Sequence, residues 1–241
     1  MDEKELKTSG KQRFFIILIA VLMLGSIIAS YAAIIINGGK TNNATSGENT
    51  EIDTAKIAEY EKAYNEIQAK FSEATKDDYN KFITYKNITA YNETAANSGV
   101  VQTKDLLDGT GKEIKDGDTD YLAYYIGWCA DESVFDSTFD NNDNPTAFAK
   151  ILDPSLGMIE GWNKGVEGMK IEGIREITIS GDLAYGDSME ICGGTNKPLK
   201  FLIYAKAKTA ELTKLSDDLE NAYMRYQYAN YGIDYDSVGT E

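Results

Sequence analysis

Four short pieces of the chain hold the side chains best suited to act on a ligand. They are Val134-Phe135-Asp136-Ser137, Met158-Ile159-Glu160-Gly161-Trp162, Leu183-Ala184-Tyr185-Gly186 and Leu199-Lys200-Phe201. Their chemistry is aromatic and apolar, with one carboxylate at Asp136 and one phenol at Tyr185. The 241 residues contain no His, which removes the commonest general base and the commonest metal ligand. Two Cys cannot build a four-Cys zinc site. Asp116-Gly117-Asp118-Thr119-Asp120 and the run from Asp140 to Asn144 look like calcium loops. Neither has Gly at the sixth position or Glu at the twelfth, so both read as turns and no metal is expected. The net charge of −15 argues against a nucleic-acid partner, which needs clustered Lys and Arg.

The elements that must position these pieces lie between Val100 and Thr209, where short apolar runs alternate with turn signals. Leu122-Ala123-Tyr124-Tyr125-Ile126, Ile174 to Ile179 and Leu199 to Tyr204 read as strands, punctuated by Gly109, Gly111, Gly117 and Gly181. A short helix should begin near Gly161. The pattern is α+β, a mostly antiparallel sheet with one helix against it. Upstream, Ile57, Tyr60, Tyr64, Ile67, Phe71 and Ala74 recur at steps of three and four, which predicts one apolar stripe on a helix. Phe82-Ile83-Thr84-Tyr85 has the composition of a short strand, and Lys86 to Ser98 reads as loop. Downstream, Leu212, Leu215, Leu219, Ala222, Tyr223 and Tyr226 form the apolar face of a tail helix that Ser216 could cap. This tail is rich in Tyr. It could pack on its own domain, on the upstream helix, or on those helices in a second copy, as a homodimer.

Phe14 to Ile36 is an uncharged and almost wholly apolar run of 23 residues. At about 1.5 Å per residue it would span a hydrocarbon core. Lys4, Lys7, Lys11 and Arg13 precede it, so the amino end is expected in the cytoplasm and the remainder outside. Length favours an uncleaved anchor over a signal peptide. The organisation expected is a cytoplasmic tail at 1–13, a transmembrane anchor at 14–36 and a flexible linker at 37–50. A helical stalk at 51–98, the sheet domain at 99–209 and a Tyr-rich helix and tail at 210–241 follow.

Taken in order, the four pieces resemble the FKBP-type peptidyl-prolyl isomerases, over nearly half the chain. The resemblance implies an FKBP-like fold, an antiparallel β-sheet wrapped on a short α-helix, here with flanking helices before and after. It implies isomerisation of X-Pro bonds without cofactor, nucleophile or metal, the partners being proline-containing polypeptides. Carried over by position, Tyr125, Phe135, Asp136, Ile159, Trp162, Tyr185 and Phe201 would form the catalytic pocket. Phe148, Met158 and Ile191 would line it. Trp162 would be its floor, and the Ile159 N–H and Tyr185 hydroxyl would hold peptide carbonyls. Asp136 would orient Tyr125. Glu172 stands where the family often has Gly, and the segment after Tyr185 lacks the usual Ile-Pro-Pro. With the anchor, the reading is a membrane-bound isomerase acting on exported or surface proteins. The alternative is a non-catalytic peptide-binding chaperone or scaffold on the same fold. Cys129 and Cys192 form an even pair in a segment expected outside the membrane. They are either a disulfide beside the pocket or two buried thiols.

Overall fold

In the computed structural model, the structure describes residues 53–93, 99–138 and 152–237. Residues Thr50–Glu241 form one compact unit. The apolar run Phe14–Ile36 and Phe148 lie outside the described residues. Among the described residues no helix is long and apolar enough to cross a membrane.

The chain enters through helix α1 (Thr54–Ile83). Its start is fixed by Asp53, whose carboxylate accepts from the Ala55 and Lys56 amides at 3.0 Å. Five strands follow: β1 (Val101–Leu107), β2 (Tyr121–Trp128), β3 (Val134–Ser137), β4 (Ile174–Ile179) and β5 (Leu199–Ala207). Helix α2 (Glu160–Val166) lies between β3 and β4, and helix α3 (Ala210–Ala229) closes the fold. The strands form one sheet in the order β1-β4-β5-β2-β3, with every neighbouring pair antiparallel. This is the FKBP-like architecture.

Both faces of the sheet are covered, and the strand alternation divides them. Tyr121, Ala123 and Tyr125 of β2 share one core with Phe201 and Ile203 of β5, Ile177 and Ile179 of β4, and Trp162 and Val166 of α2. The intervening residues Leu122, Tyr124, Ile126, Trp128, Leu202 and Tyr204 form a second core with Phe71, Tyr79 and Phe82 of α1 and Leu219 of α3. All eight residues of β2 are therefore buried, which explains its unbroken apolar run. Each fully buried side chain of this kind contributes roughly 1.5–3 kcal/mol.

Several sequence expectations change here. Phe82-Ile83 is no strand: it is the last turn of α1, held there because Phe82 is 0% exposed against the back of the sheet. Ser216 lies inside α3, and the N-cap is Thr209, whose hydroxyl accepts from the Leu212 amide at 3.1 Å. Strand β1, with the polar sequence Val-Gln-Thr-Lys-Asp-Leu-Leu, was not expected. It is an edge strand with residues Gln102 to Asp105 exposed, so no burial pattern marks it. The flanking helices pack on each other within one chain: Tyr64 of α1 lies 5.5 Å from the Tyr223 ring and 6.3 Å from Tyr226 of α3.

A polar network fastens α1 to the sheet. The Tyr204 hydroxyl bonds with Glu172 and lies 3.0 Å from Asp78. Lys206 reaches Asp78 at 2.9 Å and Glu172 at 3.2 Å, and Lys81 reaches Glu172 at 3.3 Å. Glu172 adopts φ +70°, a left-handed conformation that disfavours every residue but Gly.

Candidate functional site: an aromatic cluster on the front of the sheet

Register and alternation bring the expected residues together. Tyr125 of β2 pairs with Ile203 of β5, and Gly127 pairs with Phe201 on one side and Asp136 on the other. The Trp162 ring stands edge-on to Tyr125 at 5.6 Å and to Phe201 at 5.5 Å. Phe135 meets Phe201 edge-on at 5.5 Å. Such edge-to-face contacts place ring edges against ring faces and give a cluster with fixed walls. Trp162 is 0% exposed at its base. Phe135, Met158, Ile159, Tyr185 and Ile191 are partly buried around it, so each also faces outward.

The polar groups of the cluster are few and oriented. Tyr125 donates its hydroxyl hydrogen to Asp136 Oδ2, and Asp136 Oδ1 accepts from the Ser137 amide at 2.8 Å. Burial raises the Tyr125 phenol well above its ordinary range, and the Asp136 charge adds to this. Burial, with a smaller effect of Asp136, pushes the Tyr185 phenol up to about 12. Both hydroxyls are therefore donors at neutral pH.

Three supports were not anticipated. The Trp162 indole N–H donates to the Tyr121 hydroxyl at 3.0 Å, which fixes the ring's plane from beneath. Tyr121 lies on the same strand face as Tyr125, so its position two alternations earlier was the available signal. Thr138 locks the Tyr125 backbone, accepting from its amide at 3.0 Å through Oγ1 and donating its own amide to its carbonyl at 3.0 Å. Gly127 is required by close approach, since a Cβ there would lie 2.7 Å from Phe135 Cζ and 2.8 Å from Phe201 Cε1.

Helix α2 is set by two further glycines and an arginine. A Cβ on Gly161 would fall 2.0 Å from Ile179 Cγ2, and one on Gly165 would fall 2.8 Å from Ile177 Cδ1. The helix thus lies directly on β4, one turn separating the two contacts. At its far end Arg175, 7% exposed, donates to the carbonyls of Gly165 at 3.0 Å and Glu167 at 2.8 Å. The same guanidinium forks onto Asp105 of β1 at 2.6 and 3.0 Å. Ile159, at the opposite end, caps the helix in extended conformation and accepts the Trp162 amide at 3.0 Å.

Cys129 and Cys192 are joined in a disulfide with Cα atoms 5.4 Å apart, within the ordinary range. Among the described residues no three His, Cys, Asp or Glu side chains gather as a group that could hold a metal ion.

Tyr125, Phe135, Trp162 and Phe201 thus form one aromatic cluster on an antiparallel sheet, with Asp136 and Tyr185 beside it. Residues 111–205 match the family model for the FKBP-type peptidyl-prolyl cis-trans isomerases. The chain is 33% identical over 109 residues to an FK506-binding protein of Neisseria meningitidis, a match covering 44% of this chain and 91% of that one. It is 32% identical over 137 residues to the peptidyl-prolyl cis-trans isomerase Mip of Chlamydia trachomatis, covering 55% and 53% of the two chains. Among solved structures, AtFKBP13 is similar at 25% identity and a TM-score of 0.37, over 47% of this chain and 97% of that one. The chain belongs to the FKBP-type peptidyl-prolyl isomerases, and its activity is cis-trans isomerisation of X-Pro bonds.

Proposed function

We propose that the aromatic cluster is the seat of isomerisation and that the enzyme works on exported or surface polypeptides from a membrane anchor. The observation that carries the site is the meeting of Tyr125, Phe135, Trp162 and Phe201 under a rim bearing Asp136 and Tyr185. Resonance sets the barrier to peptide rotation at about 18–20 kcal/mol, so X-Pro exchange takes roughly tens to hundreds of seconds unaided. Water stabilises the polar, planar amide. In the apolar cluster that stabilisation is withdrawn, while the twisted amide, having lost conjugation, is less affected. The pocket then binds the transition state better than either ground state.

In this mechanism the proline ring rests on Trp162, between Phe135, Phe201 and Tyr125, with Met158 and Ile159 along one side and Ile191 on the other. The protonated Tyr185 hydroxyl and the Ile159 amide donate to substrate carbonyls and hold the chain on both sides of the bond. Asp136 holds the Tyr125 hydroxyl and shapes the field at the turning carbonyl without taking a proton. Titrating a short X-Pro peptide into 15N-labelled soluble fragment tests this. Shifts concentrated at Ile159, Trp162 and Tyr185 support the site, and shifts confined to another face would move it elsewhere.

Anchoring rests on Phe14–Ile36 and the cations before it. Membrane fractionation of the native chain, followed by protease treatment of intact cells, tests it. Digestion of the sheet domain from outside is expected. A chain found in the soluble fraction, or protected until lysis, would refute the placement.

A further inference from the structure

The disulfide joins two sides of the aromatic cluster. Cys129 directly follows Trp128 at the end of β2 and is 4% exposed. Its amide donates to the Ser133 carbonyl at 2.8 Å, and its carbonyl accepts from Glu132 at 3.0 Å, closing the turn into β3. That hairpin carries Tyr125, Phe135 and Asp136. Cys192 belongs to the segment that begins at Tyr185. There the Ile191 and Gly194 backbones bond to each other at 2.9 and 3.2 Å, making a tight hairpin turn. The two central residues, Cys192 and Gly193, have φ of +54° and +77°. The second is a natural occupant of that conformation; a cysteine is not.

Ile191 immediately precedes this turn and packs against the front core with Phe135, Tyr185 and Cys192. Its neighbours on the segment, Asp187, Ser188, Glu190 and Gly193, are exposed. The segment's base is closed by the Asn196 amide on the Gly186 carbonyl at 2.6 Å. Its outer part is tied back to the sheet by the bond to Cys129. The bond to Cys129 is the covalent tie between this turn and the sheet.

We propose that the Cys129–Cys192 bond is a specificity element. It clamps Ile191 against the cluster, so that discrimination by the residue flanking the substrate proline depends on the disulfide. The proposal rests on the isomerase site described above. An apolar wall held in place rewards a bulky apolar neighbour of the proline. The same wall on a released turn yields to any side chain and rewards none.

The test uses the purified full chain and two peptides that differ only in having Leu or Ala before proline. The ratio of kcat/KM for the two is measured in the parent, in Cys192→Ser, and in Ile191→Ala, which keeps the disulfide. The expected result is a Leu-over-Ala preference in the parent that drops roughly three- to tenfold in both variants. The Ala-Pro rate of Cys192→Ser should stay near that of the parent. Treating the parent with dithiothreitol should reproduce the Cys192→Ser ratio. A parent inactive on both peptides would sink the isomerase reading itself. An active parent whose preference survives in Ile191→Ala or in the reduced chain would overturn the clamp. So would an equal loss of both rates in Cys192→Ser, which would make the bond a fold support only.

Discussion

Glu172 sets two physical effects against each other, and a three-member series at this position separates them. Its left-handed backbone, φ +70°, costs an L-residue about 1–2 kcal/mol. Its carboxylate gains the Tyr204 hydroxyl, Lys206 at 3.2 Å and Lys81 at 3.3 Å. Hydrogen bonds to charged groups are worth about 1.5–3 kcal/mol when buried. The Glu172 side chain is 27% exposed, so solvent screening brings the expected gain to about 1–2 kcal/mol. Asp78 keeps both Tyr204 and Lys206 after Glu172 is removed, which keeps the loss from growing further. Glu172→Ala removes the network and keeps the strained backbone, so it should destabilise by about 1–2 kcal/mol. Glu172→Gly also loses the network but relieves the strain. After the extra unfolded-state entropy of Gly, about 0.5–1 kcal/mol, it should be more stable than the Ala variant by about 0.5–1 kcal/mol. Glu172→Gln keeps the shape without the charge and should fall between parent and Ala. Urea unfolding of a fragment from Thr45 to Glu241 at neutral pH reads all three. An Ala variant as stable as Gly would refute the strain. A Gln variant indistinguishable from the parent would refute the charge contribution.

Four other outcomes follow from the geometry. Gly161→Ala, with its Cβ 2.0 Å from Ile179, should lower stability by about 1–3 kcal/mol or more, read by thermal melting. Gly127→Ala must displace the Phe135 or Phe201 ring, so it should raise KM for an X-Pro peptide more than it lowers the melting temperature. Reduction of Cys129–Cys192, which spans 63 residues, should cost up to about 4 kcal/mol of unfolding free energy in the chain-entropy model. Acid should destabilise through Glu172 and Asp153. Burial would raise both carboxyls, but Tyr204, Lys206 and Lys81 around Glu172, and Lys208 and Ser155 around Asp153, outweigh it and hold both below their ordinary values. A depressed carboxyl stabilises above its unfolded value and loses that contribution as pH falls through the folded one. The decline should therefore begin below about pH 4.5, the ordinary Glu value, and be shallower in Glu172→Gln.

The residues that pack in alternation were the ones legible in the sequence. Leu122 to Ile126, Ile174 to Ile179 and Leu199 to Tyr204 announce themselves as strands because burial selects their side chains on both faces. Strand β1 did not, because only one edge of it is paired and its middle faces solvent. Phe82 misled for a related reason: one buried aromatic beside Ile and Tyr carries a strand's composition, and the helix that holds it is decided by packing on β2 and β5. The cluster of Tyr125, Phe135, Trp162 and Phe201 was readable through family order, not through any local rule. Tyr121 under Trp162, and the pairing of Cys129 with Cys192, depend on register and on a turn in three dimensions. Alternation could have suggested the first; nothing in spacing could have decided the second.

Acceleration of rotation about X-Pro bonds is assigned here to the aromatic cluster. The most direct measurement is the cis-to-trans rate of a short X-Pro peptide with the soluble fragment, beside Asp136→Ala and Trp162→Ala variants shown to be folded. Rate enhancement in the parent that falls sharply in both variants is the predicted result. Acceleration left intact by both substitutions would contradict the site, and a folded parent no faster than the uncatalysed exchange would contradict the mechanism.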